Sequence, residues 1–235
     1  MATIRLIPST YSLSNTDYLS ISNASNMYTN TDSTTYATVN HTRNRTTAYY
    51  IYIKGFNFND IPTDAIINSA TVKVKAKVTN AGSYAPALYN NITSLDQNLS
   101  GTIGTTATTS TIDITSNLET YKGYGSNFGI GLQLNRSSFW TASSMNIYGA
   151  EILVDYTIPT HYTISTSITG GVLRSPTTTS ATIRDGANYE ITFNGNPGYT
   201  LSSMTVNGIE VTPTIKSAPT PTLPRYTVST NYGTY

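Results

Sequence analysis

Cysteine is absent from the 235 residues. That removes disulfides, thiol chemistry and Cys-ligated metal together. It leaves the compartment open, because a protein released by lysis needs neither disulfides nor a signal. Charge is scarce as well: only 11% of residues are charged, and the formal net charge is +1. This balance excludes a strongly basic nucleic-acid binder and an acidic tail. No apolar run approaches the roughly 18 residues of a membrane-spanning helix, so no membrane contact is expected. The start, Met1-Ala2-Thr3-Ile4-Arg5-Leu6, lacks a basic stretch followed by an apolar core, and no signal peptide is expected.

What is abundant is polar and uncharged. The chain has 43 Thr, 26 Ser and 22 Asn, with 19 Tyr beside them. Thr and Tyr suit a pleated, half-buried surface, and Asn, Ser and Gly suit turns. The expected fold class is all-β. In Thr71 to Thr79, Val72, Val74, Ala76 and Val78 alternate with Lys73, Lys75 and Lys77. A strand there faces a core with the first set and turns the lysines away. The same alternation marks Ile130, Leu132 and Leu134, and Ile152, Val154 and Tyr156. Tyr49, Ile51 and Ile53 share one strand face, and Tyr50 and Tyr52 the other. Shorter strand candidates are Thr3–Ile7, Tyr18–Ser22, Tyr36–Asn40, Ala87–Asn90 and Thr111–Ile114. Ser116 and Glu119 have capping-box spacing for one short helix that Gly123 would close. The Gly/Thr/Ser/Ala stretch 101–110 reads as a surface loop.

Ile158-Pro159-Thr160 reads as a linker, since proline blocks further ladder pairing. Residues 1–158 are then a β-sandwich domain, and 160–235 a second, smaller β unit. The second unit's strand candidates are Tyr162–Ser167, Tyr189–Asn194, Ser203–Val206, Ile209–Thr212 and Arg225–Ser229. Asn207-Gly208 signals a tight hairpin, and the prolines within 216–225 an extended loop.

Two stretches carry resemblances. Ile61-Pro62-Thr63-Asp64-Ala65-Ile66-Ile67-Asn68-Ser69-Ala70, leading into Val72 and Val74, is followed later by Phe128-Gly129-Ile130-Gly131-Leu132 and Tyr148-Gly149-Ala150-Glu151-Ile152. Over about residues 45–157 this order is similar to jelly-roll, carbohydrate-binding-module-like sandwiches, which occur in phage virion proteins. In the second unit, Tyr162-Thr163-Ile164, Gly170-Gly171, Tyr189-Glu190-Ile191-Thr192-Phe193, Pro197-Gly198-Tyr199 and Val206-Asn207-Gly208 resemble the small β modules called bacterial (InlB B-type) repeats. Their β-sandwich or β-grasp-like fold is expected for 160–235. The family continues past the position of Val228 with one more apolar strand. This chain therefore implies a shortened module or one completed by a neighbouring subunit.

Catalytic chemistry is not expected. The only histidines are His41, in a polar turn-like run, and His161, at the junction. Both read as solvated loop residues rather than triad members. The glutamates are Glu119, Glu151, Glu190 and Glu210. Glu119 reads as a helix cap and Glu151 as outward-pointing, so no glycosidase pair converges. Asp17 and Asp32, in Asn15-Thr16-Asp17 and Asn30-Thr31-Asp32, are weak candidates for a structural Ca²⁺. The favoured reading is Asx turns. Otherwise no metal or cofactor is expected.

Tyr50, Tyr52, Tyr84, Tyr121 and Tyr124, together with Tyr28 and Tyr36, are candidates for a glycan-stacking or protein-contact surface, set against ordinary strand packing. Trp140 reads as a core or rim plug. The lysine row reads as a solvated or edge strand, or as contact with an acidic neighbour. The resemblances imply a non-enzymatic bacteriophage virion protein, a capsid decoration or tail component present as a homo-oligomer or in multiple copies. Its partners would be other virion proteins and host-surface carbohydrate. The alternative is a carbohydrate-binding or adhesin module of a secreted bacterial protein.

Overall fold

The computed structural model describes residues 1–41, 47–91, 94–135, 141–196, 202–206, 209–210, 214–215 and 225–231. The chain divides into two compact units, Met1–Ile158 and Pro159–Tyr235.

The first unit is two antiparallel sheets. Its strands are β1 (Ala2–Leu6), β2 (Thr10–Leu13), β3 (Leu19–Ser22), β4 (Ala37–His41), β5 (Tyr49–Lys54), β6 (Ile66–Thr79), β7 (Ala87–Asn91), β8 (Ser94–Asn98), β9 (Thr108–Asp113), β10 (Gly129–Leu134) and β11 (Ser143–Thr157). One sheet runs β3-β4-β11-β6-β9, with β1 also on β11. The other runs β2-β5-β10-β7-β8. From β4 onward the chain alternates between sheets, staying in the second sheet only for the β7–β8 hairpin. The resulting orders, β4-β11-β6-β9 against β5-β10-β7-β8, are those of a jelly roll.

Strand β11 is the spine of the first sheet. It pairs with β6 from Ser144↔Thr79 to Thr157↔Ile66. Its other edge is shared end to end by β4, opposite Ser143–Ile147, and β1, opposite Ile152–Tyr156. Between these two partners, residues 148–151 face neither strand, and at this level the pairing with β6 on the other edge shifts register, between Ile147 and Gly149. The segment before β4 fills the space between β4 and β1, with Ala150 N–H donating to Thr29 O at 3.0 Å. Only glycine fits at 149, because a Cβ would lie 2.2 Å from the Asn30 carbonyl oxygen.

The alternating residues build the core as their spacing predicts. Val72, Val74, Ala76, Ile51, Ile53, Ile130, Leu132, Leu134, Ile152 and Val154 are fully buried. Helix α1 (Leu118–Tyr124) adds Leu118 and Tyr121, and Tyr121 packs on Phe128 at 5.0 Å. Its capping differs from expectation. The N-cap is Asn117, without a side-chain cap bond, and the helix ends at Gly125 (φ 53°) rather than Gly123. Glu119 pairs instead with Lys122 at 2.9 Å. The 101–110 stretch is only partly a surface loop: Ile103 is fully buried, and Thr108 starts β9. Strands β2 and β8 escaped the sequence reading because polar residues dominate both.

In the second unit, β12 (His161–Ser165) pairs with β14 (Ser180–Arg184). A four-stranded sheet runs β13-β15-β19-β18, made of Gly171–Ser175, Asn188–Gly195, Arg225–Asn231 and Thr214–Ile215 respectively. Thr205–Val206 and Ile209–Glu210, β16 and β17, pair as the expected hairpin. Strand β19 has partners on both sides, β15 and β18, so it takes both from its own chain. Among the described residues this unit contains strands and no helix. Among the described residues, Phe193 packs with Ile168, Ile191 and Met204, and Ile164 and Ile183 are also buried. Trp140, Pro197-Gly198-Tyr199, Asn207-Gly208 and the proline-rich loop lie outside the described residues.

Candidate functional site

The outer face of the second sheet carries an aromatic cluster. Strand alternation puts Tyr50 and Tyr52 of β5 on the face away from Ile51 and Ile53. Register places Gly131 of β10 beside Tyr52, and Ala87 of β7 beside Gly131. Tyr89, two residues past Ala87, projects from the same face, and its ring lies over Gly131. A Cβ at 131 would stand 2.1 Å from Tyr89 Cε2. The missing side chain at 131 is thus the space the ring occupies.

The three rings fix one another. Tyr50 and Tyr52 stack at 5.9 Å and 14°. Tyr89 meets Tyr52 edge-on at 5.1 Å and Tyr50 at 6.2 Å. Tyr52 and Tyr89 are 6% and 9% exposed, while Tyr50 is half-buried and presents the most ring. Desolvation pushes the Tyr89 hydroxyl up to about 12, helped by Tyr50 and Tyr52. Tyr52 is raised by the same causes, desolvation first, then Tyr50. The phenols of Tyr52 and Tyr89 are therefore neutral hydrogen-bonding groups at physiological pH. Ser12 and Gln133 flank the cluster across the strands, opposite Tyr52 and Tyr50.

The other tyrosine candidates do not join this cluster. Tyr121 is 1% exposed in the core and is corrected from surface candidate to packing residue. Tyr124 packs on it at 5.9 Å. Tyr84 donates to Met145 Sδ at 3.5 Å, and desolvation holds its hydroxyl well above the ordinary tyrosine range. Tyr28 is packed against the core. Tyr36 is 40% exposed on the first sheet and tilts against Tyr148 at 5.2 Å. Sequence reasoning missed Tyr89. Gly131 signalled a close approach, because a glycine within an alternating strand marks one from a neighbour, but not which ring makes it.

Two further expectations are corrected. His41 is not solvated: it is fully buried, with Nε2 3.0 Å from the Thr47 carbonyl oxygen. Glu151 does lie on the outer face of its strand, yet its side chain is only 2% exposed. The segment crossing Gly149 roofs it. Thr31 Oγ1 donates to Glu151 Oε1 at 2.7 Å, and Arg5 Nε lies 2.9 Å from Oε2 as an ion pair. The carboxylate is thereby committed to holding the N-terminal strand and loop. Glu190 and Glu210 are exposed on the second unit. The Asx turns favoured above are present and are made by the asparagine side chains: Asp17 N–H and Asp32 N–H donate to Asn15 Oδ1 and Asn30 Oδ1. Among the described residues, no group of three or more His, Cys, Asp or Glu could hold a metal ion. Nor is any described helix long and apolar enough to cross a membrane.

No family model, curated protein or solved structure matches the chain.

Proposed function

We propose that this chain is a non-enzymatic surface protein of a bacteriophage particle, and that its first unit contacts neutral sugar of the host surface through Tyr50, Tyr52 and Tyr89. The observation that carries the sugar contact is the aromatic cluster: interlocked, largely desolvated rings on the outer face of a jelly-roll sheet. The C–H face of a pyranose packs on the partly exposed Tyr50 ring. Phenol hydroxyls and flanking polar side chains take its hydroxyl groups. A face this shallow buries little of each sugar, so useful affinity comes from many copies on one particle.

The particle setting rests on the two module resemblances read from the sequence. It is supported by a chain rich in Thr, Ser and Asn and poor in charge, which suits broad uncharged contact with neighbouring subunits. Cryo-electron microscopy of the source particle tests it. Density for the jelly roll at repeated sites on the capsid or tail is the expected result. Recovery of the chain only as a free secreted protein refutes it and favours an adhesin module. A glycan array tests the sugar contact separately: neutral host-wall glycans are expected to bind without being cleaved.

A further inference from the structure

The structure assigns a second binding face to the first unit, on the sheet opposite the tyrosine cluster: we infer that Lys73, Lys75 and Lys77, with the Tyr36–Tyr148 pair, dock an anionic polysaccharide. This inference goes beyond the neutral-sugar reading and uses different residues.

The three lysines project from one face of β6 at alternate positions, roughly 6.7 Å apart along the strand. Such rows protect sheet edges from pairing, but β6 is not an edge. It is hydrogen-bonded to β11 on one side and β9 on the other. The row therefore has no edge-protection role, and three like charges are held side by side in the middle of a sheet.

The face offers them little compensation. Among the described residues, none of the three has a carboxylate within ion-pair distance. Glu151 stands across from Lys73, but its carboxylate is engaged by Arg5 and Thr31. Asp113, next to Thr71 in register, is one step diagonal from Lys73, and its carboxylate accepts from Thr115. Lys75 and Lys77 have only Thr109, Gly149 and Asn146 as cross-strand neighbours. Lys75 Nζ sits 5.4 Å from the Tyr148 ring centroid, which joins the cation row to the aromatic pair.

These groups select the occupant. Cations without counterions call for an anion. The bordering Thr and Asn side chains suit hydroxyl groups, and the Tyr36–Tyr148 pair suits the C–H face of a sugar. A protein partner fits less well, because lysine is depleted at the centres of protein interfaces while apolar anchors are enriched. Nucleic acid needs a larger basic footprint than three lysines on a chain of net charge +1.

The test is biosensor binding of the full chain to immobilised polygalacturonate, with dextran and poly-L-glutamate as comparison surfaces. Binding to polygalacturonate that exceeds both and weakens as salt is raised is expected. Lys75→Gln/Lys77→Gln should weaken it at least tenfold with an unchanged melting temperature. Lys75→Arg/Lys77→Arg should keep it within about threefold, and Tyr148→Ala should weaken it without affecting poly-L-glutamate. No binding to polygalacturonate overturns the inference. Equal binding to poly-L-glutamate overturns it in favour of an acidic protein. The neutral-sugar face is unaffected by either failure, since its array signal depends on Tyr50 and Tyr52.

Discussion

Adding one methyl group at Gly131 should dismantle the tyrosine cluster. The Cβ of Gly131→Ala would stand 2.1, 2.6 and 3.0 Å from Tyr89 Cε2, Cδ2 and Cζ, so the ring must leave. Its two edge contacts with Tyr52 and Tyr50 are each worth about 0.5–1.5 kcal/mol beyond area burial. Re-exposing a ring that is now 9% exposed adds roughly 1–2 kcal/mol. Against this, alanine stabilises a strand interior over glycine by about 0.5–1 kcal/mol. The net cost is about 1–4.5 kcal/mol, or roughly 3–15 °C in the melting temperature of a unit this size. A denaturant cycle with Tyr89→Ala isolates the cause. Once the ring is gone, Gly131→Ala should be neutral or slightly stabilising. Equal destabilisation in both backgrounds would refute the close-approach reasoning and place the strain in the backbone.

Three other perturbations probe the frame that holds the two faces. Gly149→Ala drives a Cβ into the Asn30 carbonyl and should break the Ala150–Thr29 bond. It is expected to cost about 3 kcal/mol, with amide exchange at Ala150 rising by at least a hundredfold. Arg5→Met leaves the Glu151 carboxylate buried without its cation. Because Arg5 is 41% exposed, the loss should fall near or below the lower end of the buried-pair range, about 2–3 kcal/mol. Arg5→Met/Glu151→Gln should recover part of it in urea melts. Asp155 is held below the usual carboxylate range, first by Thr3 Oγ1 and then by Ser69 Oγ. Its folded-state pKa is depressed, so its stabilisation is present above the unfolded value near 4 and lost as pH falls through the lower folded one. Exchange of the β1 amides should speed up over that acid window in wild type, but not in Asp155→Asn.

The sandwich was legible where alternation was strong. Val72 to Val78 and Ile130 to Leu134 declared which way each strand faced, because a period of two has only two solutions. Thr10–Leu13 and Ser94–Asn98 were not legible: nothing in their mixed polar residues distinguishes an outer strand from a loop. The tyrosine face was half legible. Tyr50 and Tyr52 followed from alternation within one strand. Tyr89 depends on the pairing of β7 with β10, a long-range fact that local pattern does not contain. Tyr121 misled for the opposite reason, since a short amphipathic helix looks like a surface element until the sandwich end it plugs is known. Glu151 shows the limit of alternation itself. The pattern put it correctly on the outer face, but only the loop crossing Gly149 buries it.

The most direct test of the proposed function is the affinity of an array-selected neutral glycan for wild type and for Tyr50→Ala/Tyr52→Ala, measured by calorimetric titration alongside a melting curve. The sugar-stacking account predicts a loss of tenfold or more, about 1.4 kcal/mol, in a variant that remains folded. An unchanged Kd would contradict it and move the sugar contact away from the outer face of the second sheet.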